Sequence, residues 1–203
     1  MPIEFRSKIK YVYQILNRPL KEFYKYITAG TGGFEHYIGE EFGGGIVFSL
    51  WKDENGIERG LILAKNPLND SLSGTARYSS TATLIGPTAQ SFTDGQSNTA
   101  AIVAQGPAIS SALDVQDYSE GGYTDWYMGS TAEYAEILNN RLILAEAIEK
   151  AGGFPLSTSR AFITSNEASA TTCNVIAVSN FNITAAIPKT SNIADYFTPI
   201  RKF

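Results

Sequence analysis

The stretch Gly121-Gly122-Tyr123-Thr124-Asp125-Trp126-Tyr127-Met128-Gly129-Ser130, followed by Thr131-Ala132-Glu133-Tyr134, constrains this chain more than any other. The glycine pair breaks the backbone, and an Asp-Trp-Tyr knot follows. Ser130 then opens a helix with Glu133 three residues on. That Ser-x-x-Glu spacing is a capping box: the serine hydroxyl and the glutamate carboxylate each satisfy a backbone N–H that a helix start leaves orphaned. The spacing predicts a helix over residues 131–151. Its apolar face runs through Tyr134, Ile137, Leu138, Leu142, Ala145 and Ile148, and Gly152-Gly153 ends it.

The rest of the chain divides in two. In residues 1–28, Ile9, Tyr13, Leu16, Leu20, Phe23 and Ile27 recur at spacings of three and four, a heptad-like seam on one helix face. Pro19 interrupts it, so two short helices fit better than one rod. Helices this short are marginal alone and must pack on something: this domain, sister chains or a larger assembly. Residues 29–33, Ala-Gly-Thr-Gly-Gly, read as a flexible linker. The globular module then spans residues 34–203. Its segments 46–51 and 60–64 form a β-hairpin around the turn Asp53-Glu54-Asn55-Gly56. Residues 66–98 read as long ordered loop. Segments 99–105 and 110–118 are short helical candidates, and 161–164 and 174–179 are strands closing an antiparallel sheet.

Composition bounds the chemistry. The 203 residues fit one domain with a short appendage, and 43% hydrophobic residues suffice for a core. With 16 basic against 20 acidic residues the net charge is -4, which is no electrostatic footprint for nucleic acid. The basic N-terminal residues (Arg6, Lys8, Lys10, Arg18, Lys21, Lys25) interleave with apolar ones and read as the solvated face of a docking or oligomerising segment. The single cysteine, Cys173, allows no internal disulfide, and folding in a reducing cytosol is expected. The start Met1-Pro2-Ile3-Glu4-Phe5 lacks a secretory apolar region, and no run reaches the ~20 residues of a membrane span.

Catalytic and metal constellations are thin. The one histidine, His36, lies far in sequence from Cys173, so a nucleophile–base pair is not expected. One His and one Cys cannot build a zinc site. Asp94-Gly95-Gln96-Ser97-Asn98, and Asp114 with Asp117, are oxygen clusters better read as turns or helix caps than as calcium ligands. Gly43-Gly44-Gly45 precedes a strand, so it is no phosphate loop and instead permits a bulge or a close backbone approach. Neither a metal nor a cofactor is expected.

Several blocks in order carry a resemblance: Gly39-Glu40-Glu41-Phe42-Gly43-Gly44-Gly45-Ile46-Val47-Phe48, Glu58-Arg59-Gly60-Leu61-Ile62-Leu63-Ala64, Asp94-Gly95-Gln96-Ser97-Asn98-Thr99, the Asp125-Trp126-Tyr127 knot, and Thr198-Pro199-Ile200-Arg201-Lys202-Phe203. Together they resemble the DUF1566, or Lcl C-terminal domain, family. These are modules with a C-type-lectin-like fold, found on bacterial surface proteins and phage fibres. The chain departs from the family at Met128-Gly129, where Leu-Pro is usual, and at 161–165, where a Tyr-Trp-Ser-Ser strand is usual. These departures bear on ligand preference more than on fold.

The resemblance implies an α+β, C-type-lectin-like domain that binds rather than catalyses. Trp126 and Tyr127 are expected in the core, and Asp125 is expected to satisfy backbone donors of its own knot. Without an export signal, assembly into a phage particle released by lysis is the simplest route to a surface. The expected role is a head or tail fibre carrying the module, with residues 1–28 oligomerising (a trimer suits a fibre) or docking on other virion proteins. A bacterial surface adhesin and a purely structural capsid decoration are the alternatives. Recognition of a host or mucosal glycan is expected from the loops. The first candidate is residues 165–182 with Asn166, Thr171, Asn174, Asn180, Phe181 and Asn182; the second is 66–98 with Tyr78 and Phe92. Both segments equally suit connections packed against neighbouring subunits.

Overall fold

A computed structural model describes residues 33–68, 76–156, 161–177, 182–191 and 197–203, with the backbone alone for 182–186. The N-terminal seam from Ile9 to Ile27 and all of the linker but Gly33 lie outside these residues. The architecture is α+β, with mixed helices and two antiparallel sheets.

The first sheet has the order β1-β2-β3-β7, from Glu41–Phe42, Gly45–Lys52, Glu58–Ala64 and Ile200–Lys202. Gly43 and Gly44 join β1 to β2 with φ of 58° and 87°, the paired left-handed conformations of a two-residue hairpin turn. The expected β2–β3 hairpin is present, with Phe48 as an extra residue bulging β2. The last strand, β7, returns to pair with β3, Ile62 lying opposite Arg201.

Residues 161–164 and 174–177 are strands of an antiparallel sheet, as expected, but of a second one, β4-β5-β6, from Ala161–Glu167, Thr172–Ala177 and Asn182–Pro188; residues 178–179 lie outside the described residues. Alternation along a strand specifies which side faces a core, not which strand is its neighbour.

Both sheets lie between two apolar clusters. Val47, Ile62, Trp126, Met128, Ile163 and Val175 belong to one. Ile46, Phe48, Tyr127, Tyr134, Phe162, Ile176 and Ile200 belong to the other. Consecutive residues Trp126 and Tyr127 thus anchor in opposite cores, as an extended segment requires.

Helix α1, Gly95–Gln105, begins four residues earlier than expected, because Asp94 is its N-cap and accepts from Ser97 N at 3.0 Å. A short α2, Ser111–Asp114, follows. The long helix is broken into α3, Thr131–Asn139, and α4, Arg141–Lys150. Asn140 leaves helical geometry at φ -107° and ψ 11°, and its Nδ2 donates to Phe48 O in β2 at 3.1 Å. The break shifts the phase of α4, so Leu144 joins Ile148 in the core, whereas Leu142 is 77% exposed and Ala145 only half-buried. Past α4, Gly152 N donates to Glu149 O and Gly153 N to Ile148 O, which closes the helix as a Schellman cap.

Candidate functional site

The Asp-Trp-Tyr knot runs beside β7, with Tyr127 and Ile200 exchanging both backbone hydrogen bonds at 2.8 and 3.0 Å. Trp126 Nε1 donates to Tyr123 O at 3.1 Å, and its ring meets Tyr118 edge-on. Asp125 does not satisfy its own knot as its main task. It takes a two-pronged bond from Arg201, Nε to Oδ1 at 2.7 Å and Nη2 to Oδ2 at 2.9 Å. The guanidinium stacks 3.9 Å from the Tyr123 ring centroid and also donates to Gly43 O. Arg201 is 8% exposed and Asp125 49%. The Arg201 hydrogen bonds hold the Asp125 carboxyl below its usual range against partial burial. The outcome is an ionised carboxylate fixed in place with half its surface open.

Open beside it is a groove between α1 and the knot. Gln96, Thr99, Ala100 and Val103 contribute from α1, Val115 and Gln116 from the end of α2, and Thr124, Asp125, Trp126 and Tyr127 from the knot. Gln96, Ala100, Gln116 and Thr124 are exposed, whereas Thr99, Val115, Trp126 and Tyr127 are buried beneath them. The floor is fixed. Thr99 Oγ1 donates to Gly95 O at 2.7 Å and accepts from Met128 N at 3.1 Å, tying α1 to the knot. Tyr127 OH donates to Glu133 Oε1 at 2.8 Å. Glu133 Oε2 in turn accepts from Ser130 N at 2.8 Å and Gly95 N at 3.0 Å. The expected capping box is therefore present, and its glutamate holds the starts of α3 and α1 together. A Cβ on Gly95 would sit 2.5 Å from Glu133 Oε2, which is why this helix starts on glycine.

A second buried network pins the loop before α1. Glu167 Oε1 accepts from Ile85 N at 2.8 Å and from Lys189 Nζ. Its Oε2 accepts from Gly86 N at 2.7 Å and Gln90 Nε2 at 3.2 Å. Lys189 also donates to Thr83 O and lies 5.5 Å from the Tyr78 ring centroid. Burial alone would raise the Glu167 pKa, but Lys189 and the two backbone donors outweigh it and hold the carboxyl low.

The expected ligand residues are scattered. Tyr78 is fully buried, with its OH donating to Ser165 O. Asn166 is fully buried in β4: its Oδ1 accepts from Thr131 N and Thr131 Oγ1, both at 2.7 Å, and its Nδ2 donates to Ser91 O. Asn174 is buried in β5, where its Oδ1 has no hydrogen-bond partner among the described residues. These three belong to the interior: Asn166 and Asn174 because much of segment 165–182 is strand, and Tyr78 because its loop packs into the core. Thr171 is exposed in the β4–β5 turn, and Phe92 is 55% exposed ahead of α1. Asn180 and Phe181 lie outside the described residues, and of Asn182 only the backbone at the start of β6 is described.

His36 lies in the bend before β1, and Cys173 in β5 of the second sheet. His36 Nδ1 is 3.0 Å from Glu40 Oε2, and its ring packs on Phe42 and Phe203. Burial pushes the Cys173 thiol up to about 12, leaving no thiolate for nucleophilic attack near neutral pH. Among the described residues no group of three His, Cys, Asp or Glu side chains is placed to hold a metal, and no helix is long and apolar enough to cross a membrane.

The groove escaped sequence reasoning because Gln96 and Gln116 belong to no local pattern. The closing Arg201 and the knot's Asp125 were both visible, but nothing in the sequence joined them. No family model matches the chain, and no curated protein matches its sequence.

Proposed function

We propose that this chain is a non-enzymatic, adhesive structural protein of a phage particle, a head or tail fibre whose C-type-lectin-like domain presents the groove beside Asp125 to a host or mucosal surface. One observation carries the reading. The groove is rigidly supported from below by Thr99, Trp126 and Tyr127, and is rimmed by uncommitted polar side chains. Such preorganisation favours reversible binding, because little is left to order when a ligand arrives. The resemblance of the glycine-rich, Asn-Thr and Asp-Trp-Tyr blocks to fibre modules supports the setting. Residues 1–28 supply attachment or a small oligomer, a trimer in the simplest fibre, and multivalency compensates for weak single sites.

The test pairs two measurements: antibody labelling of purified particles, and binding of the fluorescent chain to host cells and immobilised mucin. Labelled particles with saturable surface binding are expected. Labelled particles with no binding would make the protein a decoration, and unlabelled particles with strong cell binding would favour a cellular adhesin. Either result overturns the reading.

A further inference from the structure

Resting on the adhesive reading, we infer that the groove between α1 and the knot takes a neutral saccharide. Its open apolar surface is that of exposed Ala100 and half-buried Val103, laid over buried Val115 and Trp126, and it suits the C–H face of a sugar ring. The rim offers hydrogen-bonding groups of the kinds that hydroxyls need. Gln96 and Gln116 each carry a carboxamide with two donor hydrogens and an acceptor oxygen, and neither carboxamide has a partner among the described residues. Thr124 adds an exposed hydroxyl. Asp125 is the acceptor-only member: each oxygen spends one bond on Arg201, and a carboxylate has about four lone-pair sites, so about two remain.

Charge narrows the class. No Lys or Arg side chain lines the groove. Arg201 is committed to Asp125 and Gly43 O, and Lys202 stands 3.9 Å from Asp94 Oδ1 and 3.6 Å from Glu133 Oε1. Lys202 Nζ also lies 5.4 Å from the Tyr127 ring centroid, so a sulfate, phosphate or sialic carboxylate would face Asp125 with both nearby cations already engaged by carboxylates. Shape narrows it further. An extended peptide binds best by adding a strand to a free edge, but the groove is walled by helix side chains, and the backbones of Tyr127 and Ile200 are already paired to each other. A lipid tail would need a deeper and drier cavity than one rimmed by carboxamides.

Trp126 reports on its own groove. The chain has two tryptophans, and Trp51, at the far end of β2, is 39% exposed and replaceable. In a Trp51→Phe chain, Trp126 emission is titrated with maltotetraose, cellotetraose, chitotetraose and lacto-N-neotetraose, each alongside a sulfated counterpart. A hydrophobic octapeptide serves as the peptide probe. A saturable shift with at least one neutral sugar is expected, weaker by about three- to tenfold in Gln116→Ala, as the loss of one hydrogen bond implies, and absent in Gln116→Arg. Gln116 is exposed, so both variants should retain the wild-type melting profile. Tighter binding of sulfated forms, binding of the peptide alone, no response to any neutral sugar, or an unchanged affinity in Gln116→Arg would each overturn the assignment. Host-surface binding retained by Gln116→Arg would overturn the groove yet leave adhesion standing. A wild-type chain that binds no surface would sink the adhesive reading itself.

Discussion

Among the described residues, Lys189 is a costly side chain to leave without its partner. Its Nζ and the Glu167 carboxylate are both shut off from solvent, and breaking a buried pair by removing one member strands the other charge. Lys189→Met is therefore expected to lower unfolding free energy by about 3–5 kcal/mol in urea titrations. Adding Glu167→Gln should cost far less than the sum of the single changes. Acid provides a second handle. The folded-state carboxyl of Glu167 lies below its ordinary value, so its stabilisation is complete above the unfolded pKa of about 4 and is lost as pH falls through the folded value. The stability gap between wild type and Glu167→Gln should be constant from pH 7 to about 5 and narrow steadily below about 4. A gap that stays constant down to pH 2 would contradict the ion pair.

Elements here are held by caps that serve more than one helix. Ser130→Ala removes one hydroxyl and should cost about 1 kcal/mol. Glu133→Ala orphans donors from Ser130, Gly95 and Tyr127 together and should cost about 3 kcal/mol, read from denaturant midpoints. Equal losses would mean that Glu133 caps α3 alone. The break at Asn140 makes a prediction the unbroken helix reverses. Leu142→Lys should be neutral within about 0.5 kcal/mol, whereas Leu144→Ala should cost about 2–5 kcal/mol. What was legible at this scale was what is local. The capping box, the Gly152-Gly153 stop and the β2–β3 hairpin each depend on neighbours a few residues apart. The break in the helix depends on a carbonyl in β2, 92 residues from Asn140, so α4 was read in the wrong phase.

At the scale of the molecule, the presence of both helices and antiparallel strands was readable from period and turn signals, but the division into two sheets was not, since strand pairing is non-local. The candidate site shows the same limit more sharply. The Asn-rich segment looked like a recognition loop because small polar residues suit both ligands and buried crosslinks. Burial separates the two, and burial is a property of the assembled fold. Asp125 and Arg201 are 76 residues apart, and the glutamines that rim the groove gave no signal of their own. The assembly proposal makes a prediction in solution mass. By light scattering, the full chain should be a small oligomer, and a chain starting at Phe34 should be a folded monomer. An oligomer in both would move the interface into residues 34–203, and a truncated chain that fails to fold would contradict the domain division.

Amide chemical-shift mapping tests the proposed preorganised binding groove most directly. The isotope-labelled chain would be titrated with the neutral sugar that binds tightest, or with soluble host-surface polysaccharide. Perturbed amides are predicted to cluster over residues 96–103, 115–116 and 124–127, with little change at the β2–β3 tip. Shifts concentrated at that tip or in the β4–β5 turn, or no shifts at any concentration, would contradict it.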